Sequence, residues 1–173
     1  PRKQGAGLVN LASAMATKAY LQVEGKERPK LELGDDPDKT GEYQMTFRVV
    51  NFGTEPLQYA ITPTVLTENA ETKGDYGNVQ VYFATQTSRD ITAQTTWTTN
   101  CANNVVTVPA KGSADVTVTV KLSDALRKEL TDTFENGIYI EGYITLKQQA
   151  TAEGVTGCDL SIPYLAFYGD WDQ

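Results

Sequence analysis

The sequence predicts an all-β fold, an antiparallel β-sandwich of about seven strands with one short crossover helix. Two observations carry the prediction. Apolar and polar residues alternate at period two through several segments, and Gly, Pro, Asn and Asp punctuate those segments at short intervals. A third observation supplies the helices: helical patterning is confined to an Ala-rich stretch near the N-terminus and to residues 123–134.

In chain order, Gln4-Gly5-Ala6-Gly7-Leu8-Val9-Asn10 is a Gly-rich turn leading into the small apolar run Leu11 to Ala16, read as a helix. Glu24 to Lys30 is polar and serves as a linker or a lead-in to the first strand. Tyr43, Met45, Phe47 and Val49 then point one way while Gln44, Thr46 and Arg48 point the other, as in a half-buried strand. Asn51 to Pro56 is the following turn. Leu57 to Leu66 is the return strand, interrupted or bent at Pro63, which has no N–H for a ladder. Thr67 to Asn78, polar and Gly-containing, reads as a loop, and Val79 to Ala84 as a short strand with Val79, Val81 and Phe83 on one face. The Thr-, Asn- and Gln-rich stretch Gln86 to Asn104 supports only a weak strand at Thr95 to Thr98. Val105 to Val108 and Asp115 to Leu122 are two further strands joined by the turn Pro109-Ala110-Lys111-Gly112.

Ser123 is an N-cap, and Leu126, Leu130 and Phe134 recur at four-residue spacing, with Asn136-Gly137 ending the helix through a left-handed residue. A helix this short is marginal alone, so it is expected to cap an open end of the sheets. In the next strand Ile138, Ile140, Ile144 and Leu146 lie opposite Tyr139, Glu141 and Tyr143, with Gly142 on the apolar side where a bulky neighbour approaches. Leu160 to Phe167 is nearly all apolar, and Pro163 within it suggests an edge or a bulge. No internal repeat is visible. Strands, turns and one crossover helix in this order indicate a fibronectin type III- or immunoglobulin-like sandwich.

A length of 173 residues with 40% hydrophobic content suits one domain with a short appendage. The net charge is −7 and the 15 Lys and Arg are scattered, which argues against nucleic acid as a partner. No apolar run approaches the roughly 18 residues that span a bilayer, so this segment is not expected to insert into a membrane. The chain starts at Pro1 and reads as an excised fragment, whose lack of a targeting signal says nothing about its parent.

There is no histidine. Ser-His-Asp and Cys-His catalysis and the commonest zinc ligand are thereby excluded within the chain. No catalytic, cofactor-binding or metal-binding residue is assigned, and no cofactor is expected. Cys101 and Cys158 are too far apart for a CxxC motif, and two readings stay open. Either they form a disulfide closing a long loop, worth about 4 kcal/mol less any strain, or they are separate buried thiols.

Two clusters invite binding hypotheses. Asp35, Asp36 and Asp38, with Glu32 and Glu42 nearby, are hard-cation donors, but their spacing is not that of an EF-hand and a solvated turn accounts for them as well. Tyr76, Tyr82, Trp97 and Trp171 offer rings on which sugars stack, against which stands the commoner outcome of burial in the sandwich.

The opening segment, Gln4 to Ala16, resembles the stretch that closes the catalytic domain of subtilisin-like serine proteases. Asn136-Gly-Ile-Tyr-Ile-Glu-Gly-Tyr-Ile144, followed by Ser161-Ile-Pro-Tyr-Leu-Ala-Phe-Tyr-Gly-Asp-Trp171, is similar to the end of the first fibronectin-type domain of cell-envelope subtilisin-like proteases, the lactocepin and streptococcal complement-cleaving type. The shared pattern falls on Asn136, Gly137, Glu141, Gly142, Pro163, Tyr164, Gly169, Asp170 and Trp171. The Thr-rich middle and both cysteines lie outside it. The resemblance implies that residues 1–22 are the tail of a protease domain, with Leu8, Leu11 and Met15 facing its core, and that residues 23–173 are the sandwich. It further implies a non-catalytic accessory domain of an extracellular, secreted or wall-associated bacterial endopeptidase, whose partners are its own protease domain and protein substrates. The alternative is a surface adhesin or carbohydrate-binding sandwich.

Overall fold

A computed structural model describes residues 17–77, 79–150 and 157–172. The helix expected over residues 4–16, with Leu8, Leu11 and Met15, lies outside the described residues. The described residues form ten strands and one α-helix: β1 Ala19–Gln22, β2 Leu31–Asp35, β3 Glu42–Asn51, β4 Leu57–Tyr76, β5 Val79–Asp90, β6 Thr95–Thr99, β7 Val105–Val108, β8 Ser113–Leu122, α1 Asp124–Thr133, β9 Ile138–Gln148 and β10 Leu160–Tyr168. They make two sheets, one ordered β1-β3-β8-β6 and the other β2-β10-β9-β4-β5, with β7 also pairing to β4. All pairings are antiparallel except that of β2 with β10, which is parallel.

The alternation read from the sequence sets the core. Met45 faces Val118 and Phe47 faces Val116 across β3 and β8, and all four are buried. From the opposing sheet come Tyr59, Ile61, Val65, Ile140, Ile144, Leu146, Ile162 and Tyr164, also buried. These inner faces form one continuous apolar slab. The outer faces carry the polar residues, among them Arg48, which grips Asp115 with two hydrogen bonds of 2.7 and 3.2 Å.

Several expectations are corrected. The described residues make ten strands where the pattern counted about seven, chiefly because β1 and β2 are too short to show a period; the predicted loop at Thr67–Asn78 is largely strand, a continuation of β4. β4 is not interrupted at Pro63; it runs from Leu57 to Tyr76, 20 residues in all. Pro63 is tolerated because β4's outer edge is changing partners there, from β7 at Leu57–Ala60 to β5 beyond Leu66. Pro163 likewise stands just before β2 joins β10 at Tyr164, and β10 carries the expected irregularity two residues later. β1, which precedes the expected boundary at residues 22 and 23, pairs with β3 and buries Ala19 and Leu21.

The helix forms as read: the Ser123 hydroxyl accepts from the Leu126 N–H at 3.2 Å, and Leu126 and Leu130 are buried. It stops earlier than expected, at a Phe134 C-cap, and Gly137 with φ +92° instead shapes the turn into β9. A side chain at Gly137 would meet the Tyr168 carbonyl oxygen at 2.5 Å. The cysteines are free thiols, each half-buried, with Cys101 Sγ 3.3 Å from Asn100 Oδ1 and Cys158 Sγ 3.3 Å from the Asp159 carbonyl.

Gly142 is the position on β9 that admits a neighbour. Tyr164 reaches across it to donate its hydroxyl to the Thr64 carbonyl at 2.8 Å, and a Cβ at residue 142 would lie 1.9 Å from that same oxygen. Gly142→Ala therefore should cost about 3 kcal/mol or more in urea unfolding, because both the β4 backbone and the tyrosine must move. Tyr164→Phe, which loses one hydrogen bond and strands a carbonyl, should cost about 1–2 kcal/mol.

Burial, with the Asp36 carboxylate beside it, pushes the Tyr43 phenol well above its usual 10.0, and burial does the same for Tyr164. Tyr59 is pushed up to about 12, chiefly by burial. The native state thus resists ionisation that the unfolded chain undergoes. Since the folded values are raised, this stability is complete below the unfolded phenol value and falls away as pH rises past 10.0. Urea midpoints measured from neutral pH upward should drop above that point, and replacing Tyr43 and Tyr164 by Phe should flatten the drop.

Candidate functional site

One end of the sandwich gathers the acidic turn after β2, the helix α1, the turn before β9 and the segment after β10. The three aspartates do different jobs there. Asp36 accepts from the Thr40 N–H at 2.9 Å, the Thr40 hydroxyl at 3.0 Å, the Gly41 N–H at 2.8 Å and the Tyr43 hydroxyl at 3.3 Å. Its own backbone donates to the Phe167 carbonyl and accepts from the Gly169 N–H. Asp36 thus ties a tight turn to the end of β10. Asp35 Oδ2 accepts from the Trp171 N–H at 3.2 Å, while Asp38 is an exposed turn residue. Glu32 is engaged elsewhere, by Lys26 and Lys30, which hold its carboxyl below the usual range. Among the described residues no group of three or more His, Cys, Asp or Glu is arranged around a cation position.

Helix α1 is clamped over this turn. The Arg127 guanidinium donates to the Lys39 carbonyl at 3.0 and 3.2 Å, and Lys39 Nζ donates to the Glu135 carbonyl at 3.3 Å. On the far side Arg89, at the end of β5, forks onto Glu129 and also donates to Gln94 at 3.1 Å. That pairing holds the Glu129 carboxyl below its ordinary value.

The four rings singled out from the sequence do not come together. Tyr82 sits on β5, Trp97 is half-buried on β6 at the edge of the other sheet, and Trp171 follows β10. The side chain of Tyr76 lies outside the described residues. Trp171 instead joins two rings the sequence reading passed over: Tyr139 at 5.5 Å and Phe167 at 5.3 Å between centroids, with Tyr139 and Phe167 5.1 Å apart. The signal was present in the alternation, which puts Tyr139 and Phe167 on outer faces, but their adjacency depends on the β9–β10 register that pairs them. With Glu68 and Asn136 the trio lines a shallow cavity of about 300 Å³. Trp171 is 61% exposed over it.

The carboxylate and hydroxyl that meet at this end, Asp36 and Thr40, belong to one tight turn. What it offers is a rigid, acidic and aromatic surface on an immunoglobulin-type β-sandwich, the class of module that this fold and these surfaces define. Among solved structures the same architecture appears in the ASH/PapD-like domain of human CEP192, with a TM-score of 0.50 at 11% identity over 98% of this chain and 99% of that one. It also appears in a family 123 glycoside hydrolase from Clostridium perfringens, with a TM-score of 0.50 at 6% identity over 87% of this chain and 27% of that one. Likenesses this distant speak to the fold alone.

The chain belongs to the Fn3-like domain family, whose sequence profile matches residues 31–165. Its curated relatives include the C5a peptidase of Streptococcus pyogenes serotype M3, 30% identical over 171 residues, and the PI-type proteinase of Lactococcus lactis subsp. cremoris, 26% identical over 176 residues. These alignments take in 99% and 100% of this chain but 13% and 8% of the relatives' own lengths.

Asp36→Ala should lower stability by about 2–3 kcal/mol, since it strips several donors of their acceptor at once, whereas Asp38→Ala should stay within about 0.5 kcal/mol of the parent. Urea titrations of both variants check the contrast. Added Ca²⁺ should leave all three midpoints where they were, because the Asp36 oxygens are already occupied by protein donors.

Proposed function

We propose that this chain is a non-catalytic accessory domain of an extracellular, wall-associated bacterial subtilisin-like serine endopeptidase, supporting the protease domain and contributing to the engagement of protein substrates. One observation carries the reading. The chain aligns end to end with segments of proteins named as a peptidase and a proteinase, yet contains no histidine with which to build their usual triad. The chemistry then belongs to another part of the parent, and this sandwich contributes shape and surface. The resemblance of residues 4–16 to the closing stretch of a subtilisin-like catalytic domain supports a neighbouring protease domain as the first partner. No described helix is long and apolar enough to cross a membrane.

The chain alone should cleave neither an unfolded protein nor a short chromogenic peptide. The longer protein that contains it should cleave both and be blocked by a serine-directed inhibitor. Removing the sandwich should lower the parent's melting temperature and reduce its turnover of protein more than its turnover of the short peptide. An inhibitor-insensitive parent, or an upstream sequence without a serine nucleophile motif, overturns the reading.

A further inference from the structure

β4 is longer than the sheet that contains it. Its pairing with β9 ends at Thr67 opposite Ile140, and from Glu68 to Tyr76 it pairs only with β5. The two strands therefore leave the sandwich as a two-stranded ribbon. Its root is rigid: the Ile91 N–H donates to the Val65 carbonyl at 2.9 Å, Ile91 is buried, and Arg89 is locked to Glu129 of α1. Beyond the root Lys73 Nζ lies 5.3 Å from the centre of the Phe83 ring, and the large apolar side chains stay open to solvent. Val79 is 63% exposed, Phe83 46% and Tyr82 38%.

The outer edge of this ribbon has an unusual composition. Soluble proteins protect open strand edges with charge, Pro or covering elements, because an unpaired row of N–H and C=O groups recruits other strands. From Val79 to Ser88, β5 reads VQVYFATQTS, with neither charge nor Pro. Its only strand partner among the described residues is β4. The β-branched and aromatic residues that favour pairing, Val79, Val81 and Phe83, share one face, as expected of a strand built to be extended by another. An isolated two-stranded ribbon is marginal in water, and a third strand makes it stable.

We propose that the Val79–Ala84 edge, which ends at the bulge of residues 85–87, is a strand-addition site for an extended, basic polypeptide segment. The extended backbone follows from the edge, since a row of strand donors and acceptors is matched by another strand. The basic character follows from charge: the chain carries −7, and among the described side chains of the β4 half of the ribbon Glu68 and Glu71 outnumber Lys73. Two copies of this acidic chain repel one another, which disfavours a second copy as the occupant. The inference deepens the reading above by naming how a protein substrate is held: as an added strand, recognised by backbone and charge rather than by a particular side-chain sequence.

The test uses the 173-residue chain and three synthetic ten-residue probes. The first alternates Val with Lys and Thr, the second carries Glu in place of Lys, and the third is the first with Pro at two central positions. Fluorescence anisotropy should show the Lys probe binding at least tenfold more tightly than the Glu probe, with the Pro probe failing to bind. Hydrogen exchange with the Lys probe bound should slow at alternating amides of residues 79–84. The double variant Val79→Lys with Phe83→Lys, both at exposed positions, should keep the parent's melting temperature and lose at least tenfold in affinity. The proposal is overturned if no probe binds, if protection falls outside β5, if the double variant binds as well as the parent, or if sedimentation shows a dimer that the double variant abolishes. Those failures leave the accessory-domain reading intact, since that reading is decided by the parent's inhibitor response and upstream sequence.

Discussion

The apolar slab between the two sheets is the constraint on which the rest of the molecule depends. Each fully buried Leu, Ile, Val or Met in it is worth about 1.5–3 kcal/mol relative to exposure. Such values accrue only when both sheets present their apolar residues inward at once. Period two leaves each strand two choices of face, and a one-residue slip in β3, β8 or β9 would send its whole apolar set to solvent. The register of Met45 with Val118, and of Ile144 with Ile162, is therefore a consequence of burial. Gly142 is the one gap in the inner row of β9, and Tyr164 fills it while supplying a hydrogen bond to Thr64.

The slab also explains where the chain departs from it. β4 serves as a core strand as far as Thr67, with Tyr59, Ile61 and Val65 inward, and then continues where there is no second sheet to cover it. Its composition changes at that point from apolar alternation to Glu, Asn, Thr and Lys, since both faces of a free ribbon meet water. A polar stretch with glycine is compositionally a loop, and only the long-range pairing with β5 makes it a strand.

Charge is used structurally in the acidic turn. Asp36 organises the chain between β2 and β3 and fastens it to β10, and Asp35 holds the segment carrying Trp171. Arg127 and Arg89 anchor α1 and the ribbon root on opposite sides of the same helix. The end that gathers these contacts joins turn, helix and ribbon root. The chain contains no histidine, belongs to the Fn3-like family and aligns with segments of a peptidase and a proteinase.

The sequence by itself determined the fold class, the inward faces of β3, β8, β9 and β10, the Ser123-capped helix and the special roles of Gly142 and Pro163. These are written in local alternation, capping residues and backbone chemistry, all of which act within a few residues of themselves. It also settled the lack of a histidine-based triad. The tertiary structure decided the length of β4 and β5, the parallel docking of β2 on β10, the pairing of Tyr139 with Phe167 beneath Trp171, and the turn-forming work of Asp36. Each of these joins residues far apart in the chain through register and packing, and neither leaves a periodic mark in a single segment. Short strands such as β1 and β2 gain their stability from the neighbour they pair with, so only the assembled sheets reveal them.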